Sequence, residues 1–168
     1  MGLAPTTSTT MTLALGDALA VALMEQRQFS RESYRDFHPG GALGARLSKV
    51  RDLMHEGDAL PLVAPHTPMS DVLLTISQKG FGVAGVVEDG KLTGIITDGD
   101  LRRHMDGLLE RNARDVMTPT PRAIAPGAMA EEAVAQMNAG KITCLFAVED
   151  GAPVGLIHIH DCLRAGVA

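Results

Sequence analysis

Apolar residues change their rhythm along this 168-residue chain. Near the start, Met11, Leu15, Leu19 and Leu23 recur every fourth position, the spacing of a core-facing helical stripe. The hydroxyl cluster from Thr6 to Thr10 offers residues that cap a helix. A second short helix is predicted from Arg31 to Phe37, stopped by the His-Pro-Gly-Gly of 38–41. Beyond residue 47 the pattern turns strand-like in short runs: Leu60–Val63, Gly82–Val87 and Leu92–Thr97, then Arg122–Ile124, Ile142–Val148 and Val154–Ile159. Helical spacing fills Met69–Gln78 and Met129–Asn138. These helices open near Thr67-Pro68 and Pro126-Gly127, because a first helical turn tolerates proline. Asp-Gly pairs at 89–90 and 150–151 stand where tight hairpins want them. A final helix closes each set, so the order is β-α-β-β-α, twice.

The repetition is literal. Val87–Arg103 (VEDGKLTGIITDGDLRR) aligns without a gap on Val148–Arg164 (VEDGAPVGLIHIHDCLR). Gly94 and Gly155 are 61 residues apart, as are Asp100 and Asp161, while the Arg-Asp-Leu-Met ending at Met54 returns as Arg-Asp-Val-Met ending at Met117 at an offset of 63. Two offsets of this kind mark a duplicated unit with one short deletion. A unit of about 55 residues is marginal alone. Two units packed sheet to sheet about a pseudo-twofold axis remove that difficulty. The chain is therefore divided into 1–47, a helical segment without strands that reads as the end of a larger domain, and repeats at 48–110 and 111–168.

Composition narrows the function classes. At 45% hydrophobic residues the chain can bury a core, and with no tryptophan and 3% aromatics that core is aliphatic and Met-rich. A net charge of −5 without a basic stripe argues against nucleic acid as a partner. The longest apolar stretch, Met11–Met24, is interrupted by Gly16 and Asp17 and is shorter than the about 20 residues a bilayer requires. No membrane association is expected. Two lone cysteines, Cys144 and Cys162, and no signal peptide suit a reducing cytoplasm.

The repeat order, with a glycine–aliphatic–aliphatic–Thr-x-x-Asp run at its end, resembles the CBS repeat, named after cystathionine-β-synthase. Two such repeats form a Bateman module, which commonly binds nucleotides in the clefts between its halves. The resemblance implies ligand contacts at Thr97, Asp98 and Asp100 within GIITDGD, and at His158, His160 and Asp161 within GLIHIHD. The chemistry is sensible. Thr97 ends a strand where a helix N-terminus can meet a phosphate, and an ionised Asp100 accepts hydrogen bonds from a ribose diol. His158 stands where the family has Ser or Thr, which would make that cleft's phosphate binding depend on protonation. Lys141 is a further candidate for an anionic ligand.

LAPTTSTT (3–10), GDALA (16–20) and HPGGALG (38–44) resemble the closing part of the sugar-isomerase (SIS) domain of D-arabinose 5-phosphate isomerases, in which a CBS pair follows. Val50–His55 and the C-terminal IHIHD fit the same family. The fold class implied is α/β (α+β): tandem CBS repeats preceded by a short helical remnant of an SIS domain. The family interconverts ribulose 5-phosphate and arabinose 5-phosphate toward Kdo, a lipopolysaccharide sugar. His38 would be catalytic only in the intact parent enzyme, since the rest of the SIS site would lie upstream; this chain alone is not expected to catalyse. A regulatory module is implied, sensing CMP-Kdo or a related cytidine nucleotide. Adenine-nucleotide sensing and a ligand-free dimerisation module are the rivals. A homodimer through the CBS pairs, a tetramer in the parent, and no cofactor complete the expectation.

Blander roles stand beside these. Asp98 or Asp100 can simply cap a helix. Lys79 complements a helix dipole, and Arg102, Arg103 and Arg164 read as solvated helix residues. The methionines and both cysteines suit core packing. His158 and His160 share a strand face with Asp161 nearby, but no further ligand stands at metal-site spacing, so no metal is expected.

Overall fold

The computed structural model describes residues 4–30, 33, 34, 37, 44, 45 and 47–167. They belong to two compact units, Met1–Gly40 and Gly41–Ala168.

In the first unit, helix α1 spans Thr6–Gln26. The threonines do not cap it. Pro5 holds the N-cap position without a side-chain bond, and the hydroxyls of Thr9, Thr10 and Thr12 fold back onto carbonyls three or four residues earlier. This extends the helix to 21 residues, long and apolar enough by length and composition to cross a membrane, where Met11–Met24 alone falls short. The expected core stripe is also corrected. Met11, Leu15, Leu19 and Leu23 are all exposed, no residue of α1 is buried, and Leu13 and Val21 make the helix apolar on its other faces too. The predicted second helix and the His-Pro-Gly-Gly string, His38 included, fall largely outside the described residues; Phe29 stacks on Phe37 there.

The second unit follows the duplicated order expected. Its first repeat contains α2 (Val50–Leu53), β1 (Leu62–Val63), α3 (Met69–Lys79), β2 (Val83–Glu88), β3 (Lys91–Thr97) and α4 (Asp98–Arg103). Its second contains α5 (Ala113–Val116), β4 (Thr118–Pro119), β5 (Ala123–Ile124), α6 (Ala130–Gly140), β6 (Cys144–Glu149), β7 (Ala152–His158) and α7 (Ile159–Arg164). In each sheet a short strand pairs in parallel with the next and that strand in antiparallel with a third, as β1-β2-β3 and β5-β6-β7. Both hairpins turn through Asp-Gly at positive φ, Asp89 at 51° with Gly90 at 76°, and Asp150 at 51° with Gly151 at 87°. Such turns match the right-handed twist of the flanking strands. The prolines differ from expectation: Pro68 is the N-cap of α3 rather than inside its first turn, and Pro126 precedes the Met129 cap of α6.

What the local pattern does not reveal is an exchange between the repeats. Helix α2 docks on the second repeat, with Val50 N–H donating to Ala128 O (2.9 Å) and Val50 buried in that repeat's core. Helix α5 docks on the first, with Ala113 N–H donating to Thr67 O (2.9 Å). The residues after each helix then join the other sheet. β4 pairs with β3, and His55 exchanges two backbone hydrogen bonds with Leu156, of 2.8 and 2.9 Å. Two glycines admit these crossings. A Cβ at Gly94 would stand 2.9 Å from Met117 Cγ, and one at Gly155 2.8 Å from Met54 Cγ. Met54 and Met117, which repeat at matched positions, are the keystones of the exchange.

Alternation along the strands divides the core. Ala84 and Val86 of β2 face α3, and Leu145 and Ala147 of β6 face α6. Between the sheets, Leu60, Val83, Cys144, Phe146 and Leu156 form a shared core.

Candidate functional site

The exchange puts the end of β3, the start of α4 and the residues around β4 beside the end of α6. Together they enclose a cavity of about 550 Å³. Thr97, Asp98 and Asp100 line it from the first repeat, and Arg122 and Lys141 from the second. Thus four of the candidate residues meet in one cleft.

The run from Thr97 to Asp100 folds as a reciprocal capping box. Thr97 Oγ1 accepts from the Asp100 N–H (3.4 Å), and Asp100 Oδ2 accepts from the Thr97 N–H (2.8 Å). The Thr97 hydroxyl also donates to Oδ2 at 2.6 Å. Asp100 Oδ1 accepts from Arg103 Nη2 (2.6 Å) and Thr118 Oγ1 (2.7 Å). A carboxylate has about four acceptor sites, and these donors occupy them. Asp100 is 2% exposed, the one buried charged side chain among the described residues. Burial pushes its carboxyl up, but the bonds from Thr97, Thr118 and Arg103 outweigh burial and hold it below the ordinary value. Capping and a ligand role therefore coexist here only by exchange. A ribose diol reaching Asp100 must displace Thr118 or Arg103.

The cations around the cavity divide differently. Arg103 is paired with Asp100, so it is not merely solvated. Arg102, Arg122 and Lys141 make no side-chain hydrogen bond or ion pair with any described residue. Lys141 follows α6 in the left-handed region at φ 52°, a conformation that disfavours a Cβ. The guanidinium of Arg122 lies over Gly140, where an added Cβ would stand 2.5 Å from Nη1. Lys79, the last residue of α3 and the equivalent of Gly140, is occupied, donating to the Asp58 carbonyl.

His158, His160 and Asp161 form a separate group around the start of α7. His158 replaces Thr97 as N-cap, its Nδ1 accepting from the His160 N–H at 3.2 Å. The proton of this imidazole is thus on Nε2. Burial, then the neighbouring His160, lower its pKa below the ordinary 6.5, against an opposing pull from Asp161. Asp161 accepts from Arg164 (2.7 Å) and meets His55 Nε2 at 2.9 Å. Phe81 packs against both His55 and His158, with ring centroids 4.9 and 6.5 Å away. Among the described residues no group of three His, Cys, Asp or Glu stands where it could hold a metal ion. Cys144 lines the Thr97 cavity rather than this group, with burial pushing its thiol up to about 11; Cys162 is buried in the second core, its thiol raised by burial and then by Asp161.

The lowered His158 pKa has a measurable sign. A histidine more readily deprotonated in the folded state contributes stability in full above pH about 6.5, lost as pH falls below it. Acidification from pH 7.5 to 5.5 should therefore destabilise the protein. His158→Thr, restoring the first repeat's cap residue, should flatten that slope in urea melts at the two pH values.

Sequence reasoning missed Thr118, His55, Phe81 and Arg122. The fixed offset carried one usable signal. His55 and Thr118 are equivalent positions, each following the repeated methionine, and each reaches the aspartate of the other repeat.

Two exchanged β-α-β-β-α units with a cleft at the strand–helix junction define a CBS pair. The CBS domain family matches residues 50–107 and 113–168, and the chain belongs to it. It is also similar over 99% of its length, first segment included, to arabinose 5-phosphate isomerases. Identity is 45% over 172 residues with KdsD of Yersinia pestis, covering 52% of that protein. It is 47% over 173 residues with KdsD of Pseudomonas aeruginosa, covering 53%. The chain thus spans about half the length of the curated relatives it matches. Among solved structures, CBSX2 in complex with AMP superposes with a TM-score of 0.62 at 25% identity, over 71% of this chain and 96% of that one.

Proposed function

We propose that this chain is the regulatory, ligand-sensing part of a D-arabinose 5-phosphate isomerase, binding an anionic nucleotide in the Thr97–Asp100 cleft. The observation that carries the reading is the cavity itself, lined by Arg102, Arg122 and Lys141, none of them paired with a described residue, in a protein of net charge −5. Cations without a partner among the described residues suit a ligand's phosphates, and Asp98 suits its hydroxyl or amino donors.

CMP-Kdo is the favoured ligand, because the resemblance places the parent on the route to Kdo and a product further along it is a natural feedback signal. The His158–Asp161 group is the second, weaker contact region, with His160 at its rim. Isomerisation belongs to the parent enzyme, with His38 in its active site. Helix α1, apolar all round, is then a core helix of the SIS domain, and the protein works in the cytoplasm as a homodimer that becomes a tetramer in the parent.

Thermal melts with CMP-Kdo, CMP and AMP test this. A ligand at about 100 times its Kd should add about 2.7 kcal/mol, several degrees in Tm. A response to cytidine compounds alone supports product sensing. A preference for AMP selects the adenine reading, which the AMP complex of CBSX2 favours. A stable dimer that responds to none leaves an assembly module.

A further inference from the structure

The duplication provides an internal control for what the first cleft is built to hold. Lys141 corresponds to Gly80 at the 61-residue offset, Arg102 to Leu163, and Arg122 to Pro61, the residue before the short first strand. Each unpaired cation of the cavity thus has a neutral counterpart in the other repeat. The cavity-lining cation that does recur in the second repeat, Arg103 as Arg164, is in each case paired with its aspartate. Shared fold requirements therefore account for the paired arginines and not for the other three.

All three are exposed, and two backbone features accompany the extra charges. Gly80 follows α3 in the left-handed region at φ 74°, where glycine is free of strain; Lys141 takes the same conformation with a side chain, at a cost of about 1 kcal/mol. Arg122 lays its guanidinium against Gly140, where the missing Cβ leaves it room. On the acidic side, Asp100 is saturated by its own donors, which leaves Asp98 as the other acid lining the cavity with the three cations.

We infer that this cleft selects ligands bearing two or more separate anionic groups, as in a nucleoside di- or triphosphate or a nucleotide-linked sugar acid, and that Arg122 and Lys141 are the selecting residues. The inference rests on the proposed nucleotide reading and adds the charge that the ligand must carry. Three cations contributed by both repeats offer a separate partner to each group of a chain of anionic groups.

The test is calorimetric titration of the dimer or parent protein with cytidine, CMP, CDP, CTP and inorganic tripolyphosphate, without magnesium and at fixed ionic strength. Affinity should rise about tenfold or more from CMP to CTP, and should weaken as salt is added. Lys141→Gly, which also relieves the backbone, and Arg122→Gln should each remove most of that gain while leaving cytidine binding unchanged. Equal affinity for CMP and CTP would overturn the inference while the nucleotide reading survived. So would a phosphate series that both variants leave intact. Binding of tripolyphosphate without any nucleoside compound would support the charge selection and sink the nucleotide reading. No binding by any probe would sink both.

Discussion

Phe146→Ala should destabilise the Gly41–Ala168 unit by about 3–5 kcal/mol, the usual cost of removing a buried phenylalanine. Phe146 is the largest fully buried side chain among the described residues and sits in the core shared by the two sheets. Its ring tip lies over Gly85 on the central strand of the opposite sheet, where an added Cβ would stand 2.7 Å from Cζ. The cavity left by alanine would open between the repeats, where neither sheet can close on it without shifting the crossings at Gly94 and Gly155. Urea melts should show a single transition displaced to lower denaturant, with Tm lower by about 10–20 °C. Two separate transitions would mean that the repeats fold independently, and a loss below about 1 kcal/mol would mean that the shared core is not what joins them.

That dependence explains what could be read from the sequence and what could not. Strand and helix identities follow from local spacing, and the Asp-Gly turns fix both hairpins, so each unit was visible by itself. The duplication supplied the pseudo-symmetry. The exchange was not legible, because the short helices Val50–Leu53 and Ala113–Val116 have the same local pattern whichever repeat they pack on. Only the facing glycine and methionine record the choice. The sites inherit this limit: Thr118 and His55 reach their aspartates from 18 and 106 residues away, and no periodicity links such pairs. The helix Thr6–Gln26 failed in the opposite direction. A repeat of four was found in it because apolar residues surround it on every side, and a stripe can be drawn on any face of such a helix.

Asp100→Ala should cost about 3 kcal/mol, more than Asp161→Ala by at least about 1 kcal/mol. Four donors converge on Asp100, whose side chain is 3% exposed. Removing it leaves the Thr97 N–H uncapped, worth about 1 kcal/mol alone, and deprives Thr118 of the bond that ties the second repeat to the first. Arg103 is 63% exposed and recovers by hydration, so the loss falls on the threonines. Asp161 has two partners, His55 at 38% exposure and Arg164 at 77%, and both can turn to water. The pH dependence has a definite sign. A carboxyl held below its ordinary value contributes stability that is complete above about pH 4 and is lost as pH falls through the folded-state value. Wild type and Asp100→Ala should therefore differ most at neutral pH and converge in acid. Denaturation at pH 7 and pH 3 checks this, and a gap that does not narrow would show that the ionised carboxylate is not what holds the network. If the gap does narrow, Asp100 is a bolt across the two repeats, and any ligand that takes its oxygens must first draw Thr118 or Arg103 away.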